Sequence, residues 1–245
     1  MSGLGASREA ELGLAARCVG SVPVKKTARS SRDPSTARFR QPDDIFQLRV
    51  SLIDIKPPIW RRLLVPQDLT LPLLHTVLQV AMGWTNSHLH QFKVGDLYFA
   101  EPHKEFEPGP IDYRRITLNQ IAPRRGSTCI YEYDFGDSWD HLIEVEDEVA
   151  VETVTGPIPR CLSGGRACPP EDCGGPYGYA GFLKAIRDPK HPEHDEYLEW
   201  AGRDFDPEAF DIEGVNRALA RYAPRPQSGT SRGKRITATR RPRSG

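Results

Sequence analysis

The sequence predicts an α+β fold: a mainly antiparallel sheet built from hairpins, with one helix after the first two strands and a helical C-terminal third. Three observations predict it. Apolar residues alternate with polar ones from Ile45 onward, further alternating runs are paired about Gly-Asp turns, and helical spacing appears once after the second strand and then again beyond Gly174. No internal repeat interrupts this order.

In "IFQLRVSLIDI", Phe46, Leu48, Val50 and Leu52 fall on one side of an extended chain, the pattern of a half-buried strand, and Pro57-Pro58 ends it. "IWRRLLVP" reads as a second strand with Pro66 at its exit. In "LTLPLLHTVLQVAMGW", Thr70 can cap a helix, Pro72 suits its first turn, Leu74, Val77, Leu78 and Ala81 form one stripe, and Gly83 closes it. "SHLHQFKVGDLYFA" reads as a hairpin turning at Gly95-Asp96, with His88, His90 and Phe92 on one face. The Pro-rich charged stretch 101–115 reads as a long loop, and "ITLNQI" as a short helix. A second hairpin joins "STCIYEYDF" to "WDHLIEVEDEVA" around Gly136-Asp137, with Tyr131, Tyr133 and Phe135 on one face of the first arm and Trp139 and His141 on one face of the second. Helices are then expected in "GYAGFLKAIRDP", "HPEHDEYLEWAG" and "DPEAFDIEGVNRALARY".

The chain is formally neutral over 245 residues, but the neutrality is a sum of opposites. Residues 1–42 carry eight Lys/Arg against three Asp/Glu, and residues 223–245 carry seven against none, which leaves 43–222 with 18 basic and 30 acidic residues, a net of −12. Both ends are poor in large apolar side chains and read as disordered basic tails around one domain at 43–222. The C-terminal "RGKRITATRRPRSG" can track phosphates by charge alone, so nucleic acid is expected through the tails only, or else the tail is simply solvated. No run of about 18 apolar residues is present and no signal-peptide pattern opens the chain, which predicts a cytoplasmic protein with no membrane partner. Five unevenly placed cysteines do not form a secreted disulfide framework.

Several catalytic signatures are missing: no phosphate loop, no Gly-x-Ser-x-Gly elbow, no His-Glu-x-x-His pair and no deaminase Pro-Cys-x-x-Cys. "CLSGGRACPPEDC" places Cys161, Cys168 and Cys173 in one loop-like stretch. Three thiolates of that kind, with His141 as the fourth ligand, would suit zinc, although the usual short Cys-x2-Cys knuckles are lacking. The other reading makes the thiols small side chains packed in a Gly/Pro loop. His88, His90 and His141 would converge if their strands were neighbours, whereas the plainer assignment leaves His90 on the solvent side. Asp134 and Asp137 flank Phe135-Gly136 and suit turn geometry first. Gly174, Gly175 and Gly178, interrupted by Pro176, mark the start of a helix rather than a nucleotide cradle.

"IFQLRVSLIDIKPPIWRRLLVP", "LLHTVLQVAMGWTNSHLHQF", "YEYDFGDSWDHLIEVE" and "CPPEDCGGPYGY", in this order, resemble the plasmid pRiA4b ORF-3-like family, whose members are sometimes labelled transposon passengers or resolvases. The resemblance spans about 44–220 and implies a compact α+β domain without an established activity. It also implies that His88, Asp137, Trp139, His141, Glu171, Asp172 and Cys173 meet in space. Recombinase chemistry is disfavoured, since no histidine is followed three positions on by Arg, the early serines lie in the basic tail, and a core of net −12 repels DNA. Two functions remain open. One is a binding or accessory module associated with mobile elements, with a protein partner; the other is a zinc-dependent enzyme, a hydrolase, using the His/Asp/Cys cluster.

Overall fold

The computed structural model describes residues 44–102 and 109–223, so the two basic segments expected as tails fall outside the described residues apart from Ala223. Eight strands form one sheet: β1 Asp44–Leu52, β2 Trp60–Pro66, β3 His90–Val94, β4 Leu97–Ala100, β5 Ile111–Asp112, β6 Thr128–Tyr133, β7 Trp139–Ala150 and β8 Arg160–Gly165. Their spatial order is β5-β4-β3-β6-β7-β1-β2-β8, antiparallel throughout except for the β4/β5 pair. Five helices accompany it: α1 Leu71–Met82, α2 Leu118–Ile121, α3 Gly175–Arg187, α4 His194–Ala201 and α5 Ile212–Leu219.

The alternation in β1 does what it predicts. Phe46, Leu48, Val50 and Leu52 are buried in one core with Leu63, Val65, Tyr131, Tyr133, Trp139, Ile143 and Val145, and α1 adds Leu74, Val77, Leu78 and Ala81. Each Val, Leu, Ile or Phe among them contributes about 1.5–3 kcal/mol on full burial, so the sheet is held mainly from this face. The other face mixes polar side chains with Tyr98, Ile130 and Leu142 and with a small buried cluster of Ile45, Leu64 and Ile158. There Arg62 grips Glu146, which also accepts from Gln47, and Lys93 lies between Glu132 and Asp140.

Thr70 sits at the α1 N-cap in an extended conformation, but its side chain makes no capping bond; its backbone bridges to Thr117 instead. Gly83 closes the helix at φ 99, a left-handed value that favours glycine. Strand β8 was not expected. "RCLSGG" has no β-branched residue, and its extended form comes from pairing with β2, where Leu63 faces Cys161. At the outer side of β8, the Asn216 side-chain amide pairs with the Cys161 backbone: Cys161 N donates to Asn216 Oδ1 at 2.8 Å, and Asn216 Nδ2 donates to Cys161 O at 2.9 Å. The C-terminal part holds the three expected helices, α3, α4 and α5, short and separated by irregular segments. Phe182 of α3 fastens them, with Tyr197, Trp200 and Phe205 set edge-on at 5.4–5.9 Å between ring centroids.

Beside α1 the core contains a stacked imidazole pair. The rings of His75 and His90 lie parallel, 3.5 Å apart, where His90 was expected to face solvent. His75 Nε2 donates to Asn86 Oδ1 at 2.7 Å, which leaves Nδ1 to accept from Tyr131 OH at 2.7 Å; Gln79 donates to that same hydroxyl, and His90 Nε2 meets Tyr113 OH. Burial lowers both pKa values, that of His90 to about 3 with a further push from His75. The fold therefore holds both rings neutral, while the unfolded chain protonates them once the pH falls below about 6.5. Stability is expected to fall as the pH drops below about 6.5 towards the folded values, about 3 for His90, at up to about 1.4 kcal/mol per pH unit for each ring. Urea unfolding across that range measures it, and His90→Gln should flatten the slope.

Candidate functional site

Three loops leave the same end of the sheet. The register fixes this: His90 at the start of β3 faces Tyr133 at the end of β6, Tyr133 faces Trp139 at the start of β7, and Gly165 at the end of β8 faces Trp60 at the start of β2. The loops are 83–89, 134–138 and 166–174. Glu171 of the third loop ties the first loop to the end of β6, and Asp137 of the second loop binds the third at Gly174.

Glu171 accepts from Thr85 N at 3.3 Å, from the Thr85 hydroxyl, from Ser87 Oγ at 3.3 Å and from Tyr133 OH at 2.6 Å. Tyr133 OH itself accepts from Ser87 N at 3.0 Å, so the first and third loops are tied to the end of β6. Burial opposes the charge on Glu171, but the bonds from Thr85, Tyr133 and Ser87 outweigh it and hold its carboxyl below the ordinary glutamate range. Burial and the Glu171 bond together push the Tyr133 phenol up to about 12, so it stays a donor. Trp84 Nε1 donates to Pro169 O at 3.0 Å, and Asp137 Oδ2 accepts from Gly174 N at 3.0 Å. The approach there is close enough that a Cβ on Gly175 would lie 2.4 Å from Asp137 O, and one on Gly178 2.0 Å from Cys173 O. These glycines are needed for contact, not for phosphate.

On this frame His88 lies between two carboxylates. Its Nδ1 is 3.7 Å from Asp134 Oδ2, and its Nε2, sealed from solvent without a hydrogen-bond partner, is 3.3 Å from Asp172 Oδ1. Asp134 does two jobs: Oδ1 accepts from Gly136 N and Asp137 N, which is the turn role expected of it, while Oδ2 faces His88. One ligand atom each from His88, Asp134 and Asp172 lies within 4.8 Å of the others, the one group of three or more metal-ligating side chains with that property among the described residues. The Asp134 side chain is 9% exposed and that of Asp172 72%. Asp134 and Asp172 both hold left-handed backbone conformations, at φ 59 and 61, as do Asn86 and Ser138 within the same three loops.

His88, Asp137, Glu171 and Asp172 thus come together at the loop junction. Trp139 and His141 belong to β7 and are buried beneath it, against Trp84, at ring distances of 6.0 and 5.1 Å. His88 stands in the loop before β3, not on the strand, and the three imidazoles do not converge because His90 is stacked on His75. The thiol set is a further correction. No three of Cys161, Cys168, Cys173 and His141 bring ligand atoms within 4.8 Å of one another, since β8 carries Cys161 away in extended chain. His141 has Nδ1 on the Tyr131 and Trp139 carbonyls and Nε2 buried without a partner, and burial lowers its pKa to about 4. Burial raises all three thiols, Cys173 to about 12 with help from Asp137. The four described cysteines are free. Thr85, Ser87 and Trp84 went unnoticed in the sequence; Thr85 and Glu171 are 86 positions apart, and no local spacing signals such a contact.

Fold and junction together define a two-layer α+β protein, helices on one face of an antiparallel sheet, whose polar groups collect where three loops meet. The chain belongs to the plasmid pRiA4b ORF-3-like protein family, whose sequence profile matches residues 44–214. It is 42% identical over 177 residues to the uncharacterized protein y4hQ of Sinorhizobium fredii (strain NBRC 101917 / NGR234), covering 71% of this chain and 90% of that protein. It is similar to the crystal structure of a protein of unknown function, MM3350 from Methanosarcina mazei Go1, with TM-score 0.62 and 32% identity, over 69% of this chain and 96% of that one. Among the described residues no helix is long and apolar enough to cross a membrane.

Glu171→Gln keeps the shape of the knot and removes its charge. The expected cost at neutral pH is about 1–3 kcal/mol of unfolding free energy, the scale of hydrogen bonds to a charged group. Because the Glu171 pKa is lowered in the fold, the stabilisation is present above the ordinary glutamate range and is lost as the pH falls through the folded value. Denaturant melts of the two proteins should therefore converge in acid.

Proposed function

We propose that this protein is a binding module whose loop junction captures a divalent cation through His88, Asp134 and Asp172. The observation that carries this reading is the gathering of their three ligand atoms within 4.8 Å, one of them on the nine-tenths buried carboxylate of Asp134. Imidazole and carboxylate oxygens bind zinc at about 2.0–2.2 Å, so the set must close slightly, and the exposed Asp172 is the side chain free to do it. Asp134 is fixed by two backbone N–H groups, the kind of support that orients a ligand before the ion arrives. Zinc therefore stays the expected ion, on carboxylates and imidazole instead of thiolates.

Three protein ligands leave at least one coordination position for an outside group. In a binding module that position joins the ion to a partner's donor atom. The same open position supports the second reading, metal-assisted hydrolysis, in which it holds water. The basic segments 1–42 and 223–245 add sequence-independent affinity for nucleic acid, in keeping with an accessory role on the plasmid-borne elements after which the family is named.

Zinc titration of the metal-free full chain by calorimetry tests the site. About one equivalent should bind, with binding lost in His88→Ala and Asp134→Asn and retained in Cys168→Ser and Cys173→Ser. Equal binding by the first two variants, or loss in the cysteine variants, would put the ion elsewhere.

A further inference from the structure

Arg61 is a cation buried without a counter-charge. Only 1% of it is exposed, yet no carboxylate lies within ion-pair distance among the described residues. Its Nε donates to Ala81 O at 2.8 Å, and Nη1 donates to Trp60 O at 2.8 Å and Gly165 O at 3.0 Å, which ties the end of α1 to β2 and β8. Nη2 has no partner among the described residues. The acidic-type groups acting on the guanidinium are the thiols of Cys168 and Cys161, which burial keeps neutral. A guanidinium remains charged in such surroundings, and carbonyl dipoles alone compensate it only in part.

Arg61 lines a groove of about 530 Å³ between the end of α1, the loop 167–171 and α5. Trp84, Met82, Phe205, Phe210 and Val215 give this groove an apolar lining. Phe210 stacks on the guanidinium at 3.9 Å, and Gly164 makes room for the stack, since a Cβ there would lie 2.5 Å from the Phe210 ring and 3.0 Å from Arg61 Cδ. Arg61 is the one basic residue of the lining. Two carboxylates, Glu171 and Asp211, border it and already have partners, in the loop junction and at Gly214 N and Arg217. An apolar groove with one unmatched positive charge at its floor and negative charge at its rim matches a ligand carrying a single negative charge on an apolar body. A doubly charged phosphate meets repulsion at the rim and finds no second cation.

We propose that this groove is a binding site for an apolar monocarboxylic acid, its carboxylate on Arg61 Nη2 and its body against Phe205, Phe210 and Trp84. The volume falls in the usual range of small-molecule sites, about 300–1,000 Å³. The proposal is independent of the metal reading, as it uses none of His88, Asp134 and Asp172.

The test is calorimetric titration of the full chain with phenylacetate, with its uncharged counterpart phenylacetamide, and with inorganic phosphate. Saturable binding of phenylacetate at least about tenfold tighter than phenylacetamide is expected, from the charge-assisted hydrogen bond, with phosphate weaker than phenylacetate. Ala209→Phe fills the groove from its exposed side without touching Arg61 and should abolish the binding, as should Arg61→Met. If Arg61→Met fails to fold, Ala209→Phe and the acid-to-amide comparison decide. Equal binding of acid and amide, undiminished binding by Ala209→Phe, tighter binding of phosphate, or a folded protein that binds no phenylacetate would each overturn the assignment.

Discussion

The arrangement of the loops rests on one saturated carboxylate. Glu171 gathers donors from Thr85, Ser87 and Tyr133, residues that no local segment could bring together, and in doing so fixes the loop 166–174 over the ends of β3, β6 and β7. A carboxylate is suited to this because its two oxygens accept several donors at once. The positions of His88 and Asp172 follow from it, since they lie on the two loops that Glu171 joins. Aromatic packing does the same below: Trp84 stacks on Tyr133 at 4.9 Å, approaches Trp139 and His141, and hands its Nε1–H to Pro169.

Much of the sheet was legible in the sequence, for reasons that can be named. β1 and α1 announce themselves because burial on one face imposes a period that the chain cannot hide. The meeting of the motifs was also anticipated, but through a family resemblance and not through spacing. β8 was illegible because its extended form is imposed by β2 and Asn216, against a Gly-rich composition. Alternation along an extended strand would set His88 on the face of His90, yet the strand starts at His90, and a loop residue obeys no period. The His75–His90 stack joins a helix to a strand, a tertiary contact between two residues whose individual patterns suggested no pairing. Cysteine spacing suggested zinc because the separation along the chain is short, whereas β8 is extended and turns a short sequence interval into a long distance.

The two faces of the sheet divide the labour. The solvent face settles its charges in cross-strand groups such as Arg62–Glu146 and Lys93 with Glu132 and Asp140. The covered face places polar groups where water is excluded: His75, His90, His141 and Arg61, each with hydrogen bonds to hydroxyls, amides or carbonyls and none with a carboxylate of its own among the described residues. Polar groups buried in this way fix positions more tightly than apolar packing would, because each misplacement leaves an unpaired donor.

The Asn216 amide on β8 also bears on how the protein can meet others. A sheet edge is ordinarily an invitation, its unpaired N–H and C=O groups able to template another chain. Here one edge strand, β5, is two residues long, and at the other the Asn216 side chain occupies the Cys161 backbone in the place a further strand would take. Recruitment by strand addition, a common way for sheets to capture extended peptides, is hindered at both ends. A partner of this domain would then be met by side chains on loops and helices, which discriminate by shape and charge, and not by the backbone of an edge strand.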